Sequence, residues 1–296
     1  MPNPSTHLLL LYDQFSNPTK NDSKENFEYA LLGSVSPDLR VITKSDREDY
    51  HYFDLNSGVK GDGMSGFIKN TIDFNGLIKT NIYTNNFIKG YFSHLIADEN
   101  WTVDVFRKIF MDKNIFPDFD EALFLDRALQ IYLDIQISKQ SIDIYSYLSQ
   151  VDIDLIFLPH NITKKTLNDW ITFLSDLNSK YGSNPWNRLN FMAQRLSKSH
   201  NSDKILTLCD DFMADITKGI KNLLDRLPEI IEKIPSIKHV VICNFRYYED
   251  SDGNQGFVGG SQNGPESVYQ YTLTQSKAAA DTSVTVLDAV EFFFGS

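Results

Sequence analysis

The chain has little cysteine, which limits both disulfide and thiolate chemistry. Among its 296 residues the two cysteines, Cys209 and Cys243, lie far apart and belong to no CxxC spacing. Disulfide frameworks and thiolate metal sites use several cysteines at short, regular spacings. We therefore expect both residues to be reduced, buried thiols.

Positive charge is also scarce. The sequence has 28 Lys and Arg residues against 39 Asp and Glu residues, a formal net charge of -11 at pH 7. Broad electrostatic binding to nucleic acid or to anionic lipid depends on an excess of basic residues. Nucleic acid is therefore not a favoured partner, and a small-molecule substrate is more compatible with this charge.

Long apolar runs are missing as well. The opening segment "MPNPSTHLLLLYDQFSN" contains four leucines but has no basic stretch before them and no small-residue cleavage site after them. These features do not predict a signal peptide. No apolar run approaches the roughly 20 residues that span a bilayer. We expect a cytoplasmic protein without a transmembrane segment.

The spacing of apolar residues predicts a helical body. Apolar residues recur at helical intervals over most of residues 1–235, which are long enough to bury a substantial core. After Pro235 the pattern changes: residues 238–250 and 283–294 are typical of strands, and residues 252–267 of a loop. The sequence predicts an all-α domain over 1–235 and a small strand-containing extension over 236–296 that packs on it.

The predicted helices cover eight segments. They are residues 6–15, capped by Ser5 or Thr6, a second helix ending near Gly33, then 65–79, 83–111, 119–150, 164–181 with Thr163 as its cap, 187–200 and 205–234. A glycine-rich excursion over residues 46–66 is expected to connect the second and third helices.

One predicted helical stripe contains two residues that a core does not normally hold. Phe87, Tyr91, His94, Asp98, Trp101 and Val105 follow one another at alternating steps of four and three residues, so that they share one helix face. A buried carboxylate and imidazole must be hydrogen-bonded, ion-paired or metal-bound, because an unsatisfied buried charge is costly. His94 and Asp98 therefore predict either a polar network or one pair of metal ligands.

A metal site needs three or four ligands, and two further residues are well placed to supply them. Asp38 and His51 lie at or near predicted loop ends, where side chains from separate segments converge. Mixed nitrogen and oxygen ligands favour zinc. Motifs for other chemistries, such as GxxxxGK[ST] and GxSxG, do not occur.

The order of several short motifs is similar to that of the zinc-dependent phospholipase C family, which is related in fold to the P1-type nucleases. The motifs are "THLLLL", "ALLGSVSPDLR", "DYHYFDL" and "FIKGYFSHLIADENW", all within residues 1–110. The resemblance implies that one zinc is bound by Asp38, His51, His94 and Asp98. It also implies that Asp98 bridges to a second zinc held by His7, and that Asp38 also acts as a general base.

The chain departs from the family at two places. The family uses its mature N-terminal tryptophan as a zinc ligand, whereas this chain starts Met-Pro, and it binds a further metal through histidines after HxxxD, whereas no histidine occurs here between Asp98 and His160. Asp104, Glu121 and Asp126 are the candidates to replace the missing metal ligands. We therefore expect one or two Zn2+ ions.

The function that the resemblance implies is hydrolysis of a phosphoester bond in a small-molecule or phospholipid-like substrate. Two alternatives remain open. In the first alternative, the chain is an enzyme of specialised metabolism that uses the same helical metal-binding fold for other chemistry. The missing third-metal ligands and the added tail favour this alternative. Otherwise it is a non-catalytic protein in which one metal, closed in by four ligands, stabilises the helices. Fold class does not distinguish them.

Overall fold

The computed structural model describes residues 3–16, 26–138, 144–159, 161–182 and 184–227, together with three strands between residues 246 and 273. The described body is mostly helical, as predicted. Its helices are α1 (Pro4–Ser16), α2 (Phe27–Val35), α3 (Arg40–Thr43), α4 (Glu48–His51), α5 (Asp62–Asn70), α6 (Phe74–Lys79), α7 (Ile82–Asn100), α8 (Phe119–Ser138), α9 (Tyr145–Leu148), α10 (Lys164–Tyr181), α11 (Asn187–His200), α12 (Lys204–Ala214) and α13 (Ile216–Arg226). None of the helices in these residues is long and apolar enough to span a membrane.

Three strands follow the helical body. β1 (Arg246–Glu249), β2 (Gln255–Gly259) and β3 (Tyr269–Leu273) form an antiparallel sheet in chain order, with Tyr247 opposite Phe257 and Phe257 opposite Tyr271. β2 lies inside the segment 252–267 that was predicted to be a loop. The predicted strand over 283–294 lies outside the described residues, and the packing of an extension over 236–296 on the helical body stays a prediction.

Helices α2 and α7 pack at backbone distance because glycines line their contact. A Cβ atom on Gly33 would lie 1.9 Å from the carbonyl oxygen of Phe87, and one on Gly90 would lie 1.8 Å from that of Ala30. Only glycine allows backbones to approach this closely. This contact fixes the 3-10 turn Ser36–Leu39, which follows α2, relative to the middle of α7.

The core consists of two hydrophobic clusters. The first surrounds α2 and α7 and includes Phe67, Tyr91 and Trp170. The second lies between α8, α11 and α12 and includes Trp101 and Leu129. Helix α7 continues directly into the π-helical segment Trp101–Phe110 and so connects the two clusters. All six residues of the predicted stripe are buried, which confirms the assignment of that face to the interior.

Several helix boundaries differ from the prediction because short polar side chains bind the backbone locally. The expected long helix over 205–234 breaks at Asp215, whose carboxylate accepts a hydrogen bond from Lys218 N and begins α13. The expected helix over 65–79 breaks likewise where Asp73 caps α6. Such side chains compete with helical hydrogen bonds. Thr163 caps α10, as predicted.

We predict that Gly33→Ala destabilises the protein through the α2–α7 contact. The added methyl group requires the helices to separate, and overpacking of this kind costs about 1–3 kcal/mol or more. Urea denaturation should show a lower midpoint with an unchanged slope. The exposed Ser175→Ala change in α10 is the control and should leave the midpoint nearly unchanged. Equal midpoints for the two variants would show that the helices are not in close contact.

Candidate metal centre

Five side chains from three helices and one turn converge at the junction of the two clusters. His7 comes from α1, Asp38 from the turn after α2, His51 from the end of α4, and His94 and Asp98 from α7. Four of them are no more than 2% exposed, and the side chain of Asp38 is 16% exposed. The five residues predicted from the sequence therefore lie together, and their action as metal ligands remains a prediction.

Four separations among these side chains are close to those between tetrahedral zinc ligands. His51 Nε2 lies 3.1 Å from His94 Nε2, 3.2 Å from Asp98 Oδ2 and 3.6 Å from Asp38 Oδ1, and His94 Nε2 lies 3.5 Å from Asp98 Oδ2. Zinc bonds of about 2.0–2.1 Å place tetrahedral ligands about 3.3 Å apart. Asp38, His51 and His94 form one group of donors close enough together to hold an ion, and His7, His94 and Asp98 form a second, with His94 common to both.

The orientation of His94 is set by a backbone carbonyl. His94 Nδ1 lies 2.7 Å from the carbonyl oxygen of Ser34, to which it donates a hydrogen bond. The lone pair of the neutral ring is then on Nε2, which points toward His51 and Asp98. Hydrogen bonds of this kind from the second ring nitrogen are usual for histidines that bind metals.

His7 lies on the other side of His94 and approaches the second oxygen of Asp98. The two imidazole rings stack with centroids 3.8 Å apart, and His7 Nε2 lies 3.4 Å from Asp98 Oδ1. Neither of these two atoms has a hydrogen-bond partner among the described residues. A purely hydrogen-bonded network therefore leaves buried polar atoms unsatisfied, which favours an ion or a water at this position.

Arg47 is a member of the site that the sequence analysis did not identify. Its NH2 group donates to Asp98 Oδ2 at 2.8 Å, and its NH1 group donates to the carbonyl oxygen of Phe53 at 3.0 Å. The guanidinium holds the Asp98 carboxylate in place. Its positive charge offsets one of the two negative charges that Asp38 and Asp98 would carry. With Asp38 and Asp98 ionised, one dication leaves a single net positive charge and a second dication leaves three, so this arrangement favours one metal.

The protonation states of His51 and Asp98 suit metal binding. Burial and the neighbouring Arg47 lower the pKa of His51 to about 3, and burial together with His94 lowers the pKa of His7. Burial alone would lower the pKa of His94, but the Asp98 carboxylate raises it. Despite its burial, Asp98 has a pKa well below the usual range because the three histidines stabilise its charge. Metal ligands must be neutral imidazoles and ionised carboxylates, which His51 and Asp98 provide.

The carboxylates considered as ligands for a further metal already have other partners. Asp104 pairs with Lys60 and Lys108, and Glu121 pairs with Arg226 through both carboxylate oxygens. Asp126 accepts hydrogen bonds from Trp101 and from another side chain of α8. Each of the three carboxylates is therefore paired within the protein, and their replacement of the missing family ligands stays a prediction.

The glycine-rich segment before α5 binds a carboxylate of the protein itself. Gly61 N and Gly63 N each donate to Glu99 at 2.6 Å, and burial raises the pKa of that carboxyl to about 7. Residues 61–66 have the spacing GxGxxG, which the sequence analysis passed over. No described strand precedes it, as a dinucleotide site requires. Its N–H groups instead fix α5 against α7.

Asp38 connects the buried donors with the surface. It lines a cavity of about 650 Å³ whose wall also contains Asn3, Trp170 and Phe191. His7, His51, His94 and Asp98 are buried and are not among the residues that line it. Asp38 is therefore the one predicted site residue that lines the cavity.

We predict that His51 makes the stability of the metal-stripped protein depend on pH. The folded-state pKa of about 3 lies below the ordinary 6.5, so the unfolded chain binds more protons between these values. The free energy of unfolding then falls as the pH falls from 6.5 toward 3, by up to about 1.4 kcal/mol per pH unit. Urea denaturation at several pH values, with a chelator present, should show a smaller change in the free energy of unfolding per pH unit for His51→Gln than for the parent.

The control for this pH series is His200→Gln, which changes an exposed histidine at the end of α11. The free energy of unfolding of this variant should change with pH as it does in the parent. If the unfolding free energy of His51→Gln depends on pH as strongly as that of the parent, His51 is not held neutral by its surroundings.

Comparisons with known proteins give no match for the chain. No protein-family model, curated protein or solved structure matches the chain. The resemblance to the zinc-dependent phospholipase C family therefore rests on the short motifs that carry Asp38, His51, His94 and Asp98, and it stays a prediction.

Proposed function

We propose that the protein is a metal-dependent hydrolase of phosphoester bonds, in which one Zn2+ is held by His51, His94 and Asp98 together with Asp38, and in which Asp38 leaves the metal during the reaction to work in the cavity. The observation that carries the proposal is the convergence of these donors around His51 and His94, with Asp38 facing a cavity. The order of the donors in the chain agrees with the phospholipase C/P1 nuclease-like fold, which is part of the same proposal. A small-molecule or phospholipid-like phosphoester is the proposed substrate class.

The residues of the chain have separate tasks in this reaction. Zinc supplies acidification of a water and neutralisation of negative charge on phosphate oxygens. The Ser34 carbonyl keeps His94 in the tautomer that binds metal, and Arg47 keeps Asp98 oriented. Asp38 reaches the cavity, so its carboxylate accepts the proton of the attacking water as general base.

A second candidate function, a structural metal in a non-catalytic protein, is favoured by the burial of the donors. His51 and His94 are fully buried, and Asp98 is 2% exposed. A tetrahedral site with four protein ligands has no open position for water or substrate. The two candidates differ in whether Asp38 stays on the metal or leaves it to work in the cavity.

We predict that Asp38→Asn abolishes phosphodiester hydrolysis without unfolding the protein. Removing a general base costs about 100- to 10,000-fold in rate. Turnover of bis(4-nitrophenyl) phosphate should therefore fall at least about 100-fold, with the circular dichroism spectrum unchanged. Asp46→Asn is the matched control, because Asp46 is exposed and lies in the loop before α4. That variant should keep the parent rate.

Two results would contradict the hydrolase. The first is full turnover by Asp38→Asn, because the proposal gives the proton transfer to that carboxylate. The second is zinc-loaded parent protein that hydrolyses no phosphomonoester or phosphodiester. Stabilisation of the parent by zinc in that second case would support the structural metal instead.

A further inference from the structure

The cavity in front of Asp38 has a charge opposite to that of the whole chain. Five cationic side chains line it, namely Arg40, Lys44, Arg127, Arg188 and Arg195, and Asp38 is the carboxylate among its lining residues. The whole protein has a formal net charge of -11. A concave site with one sign of charge and low-dielectric walls concentrates its field on an incoming ligand. The cavity therefore selects for anions.

Two of these cations are neutralised within the protein. Arg127 lies 3.3 Å from Asp126 Oδ2, and Arg188 lies 3.3 Å from Asp134 Oδ2. Both arginines therefore hold parts of the wall together. They contribute little net charge to the cavity.

The other three cations have no carboxylate partner among the described residues. Arg40 has a buried Nε without a hydrogen-bond partner in that part of the chain. Lys44 donates to the carbonyl oxygen of Val41 at 2.6 Å, and Arg195 lies over the ring of Phe191, with its guanidinium carbon 5.7 Å from the ring centroid. Their charges are therefore available to a ligand.

The three cations reach the cavity from two separate elements. Arg40 and Lys44 lie at the two ends of α3, two and six residues after Asp38, and Arg195 belongs to α11. The wall also carries apolar surface from Trp170, Phe173 and other residues. A ligand that reaches Asp38 therefore lies among cationic groups and against an aromatic wall.

We propose that the substrate carries a second phosphate group besides the ester that is cleaved, and that Arg40, Lys44 and Arg195 bind this second group. The inference rests on the proposed hydrolase function, because it takes Asp38 as the position of the cleaved ester. Guanidinium and ammonium groups bind phosphate through charge-assisted hydrogen bonds, and arginine binds it in a fixed planar geometry. A substrate without a second anionic group would leave these three cationic side chains without a binding partner.

The test is calorimetric titration of the full-length protein with inorganic phosphate. Arg195→Gln and Lys44→Gln should each raise the dissociation constant about tenfold and leave the zinc content unchanged. Lys113→Gln is the matched control, since Lys113 is an exposed lysine outside the cavity, and it should bind phosphate as the parent does. Arg195 and Lys44 are exposed, so loss of folding does not obscure the comparison.

A parent that binds no phosphate at millimolar concentration overturns the inference. Equal dissociation constants in the parent, Arg195→Gln and Lys44→Gln overturn it as well, because phosphate would then bind elsewhere. The same titration on His94→Ala separates this inference from the proposed function. If His94→Ala lacks zinc but still binds phosphate, and loses that binding when Arg195 or Lys44 is also replaced, the cavity site is supported. A parent that contains no zinc contradicts only the hydrolase.

Cosedimentation with vesicles distinguishes the two sources of the second phosphate. Binding to phosphatidylcholine vesicles that contain phosphatidic acid, but not to pure phosphatidylcholine, would assign it to a lipid headgroup. Phosphate binding by the cavity without cosedimentation would assign it to a soluble phosphoester. Each result supports the cavity site only if Arg195→Gln and Lys44→Gln weaken it.

Discussion

The burial of the Asp98 carboxylate among three histidines and one arginine is the interaction on which the arrangement of the helices depends. An isolated carboxylate at this depth would be strongly destabilising. Its partners come from α1, α4 and α7 and from the residue before α4, so neutralising its charge requires all of these segments to meet. The glycine contact between α2 and α7 then brings Asp38 to the same point. A metal ion at this point would satisfy the remaining buried atoms.

Two electrostatic environments lie on either side of Asp38. On the inner side, one arginine and three histidines surround two carboxylates. On the outer side, Arg40, Lys44 and Arg195 face the cavity without carboxylate partners among the described residues. An anionic substrate is attracted by the outer charges and meets the inner ones only through Asp38. The account therefore links the metal and the cavity through one side chain.

Some of this arrangement could be predicted from the sequence, because local periodicity encodes it. The alternating steps of three and four residues placed His94 and Asp98 on a buried face of α7. Asp38, His51 and His7 came from the order of short motifs, and the structure brings their side chains together. Arg47 precedes His51 by four residues, the spacing of one helix face, so that signal was present although it was not used.

Other features depend on contacts between distant segments and had no local signal. The cavity is formed by residues near Asp38 together with α10 and α11, more than 120 residues later in the chain. The breaks at Asp73 and Asp215 depend on whether a short carboxylate binds its own backbone, which periodicity does not record. Asp104, Glu121 and Asp126 were considered as ligands because their cationic or hydrogen-bonding partners could not be identified from spacing alone.

The measurement that tests the account most directly is the metal content of protein purified without chelators, for the parent and for His94→Ala, His7→Ala and His200→Ala. The account predicts one equivalent of zinc in the parent, in His7→Ala and in the exposed-histidine control His200→Ala, and none in His94→Ala. A parent without metal would contradict it, as would zinc that persists in His94→Ala.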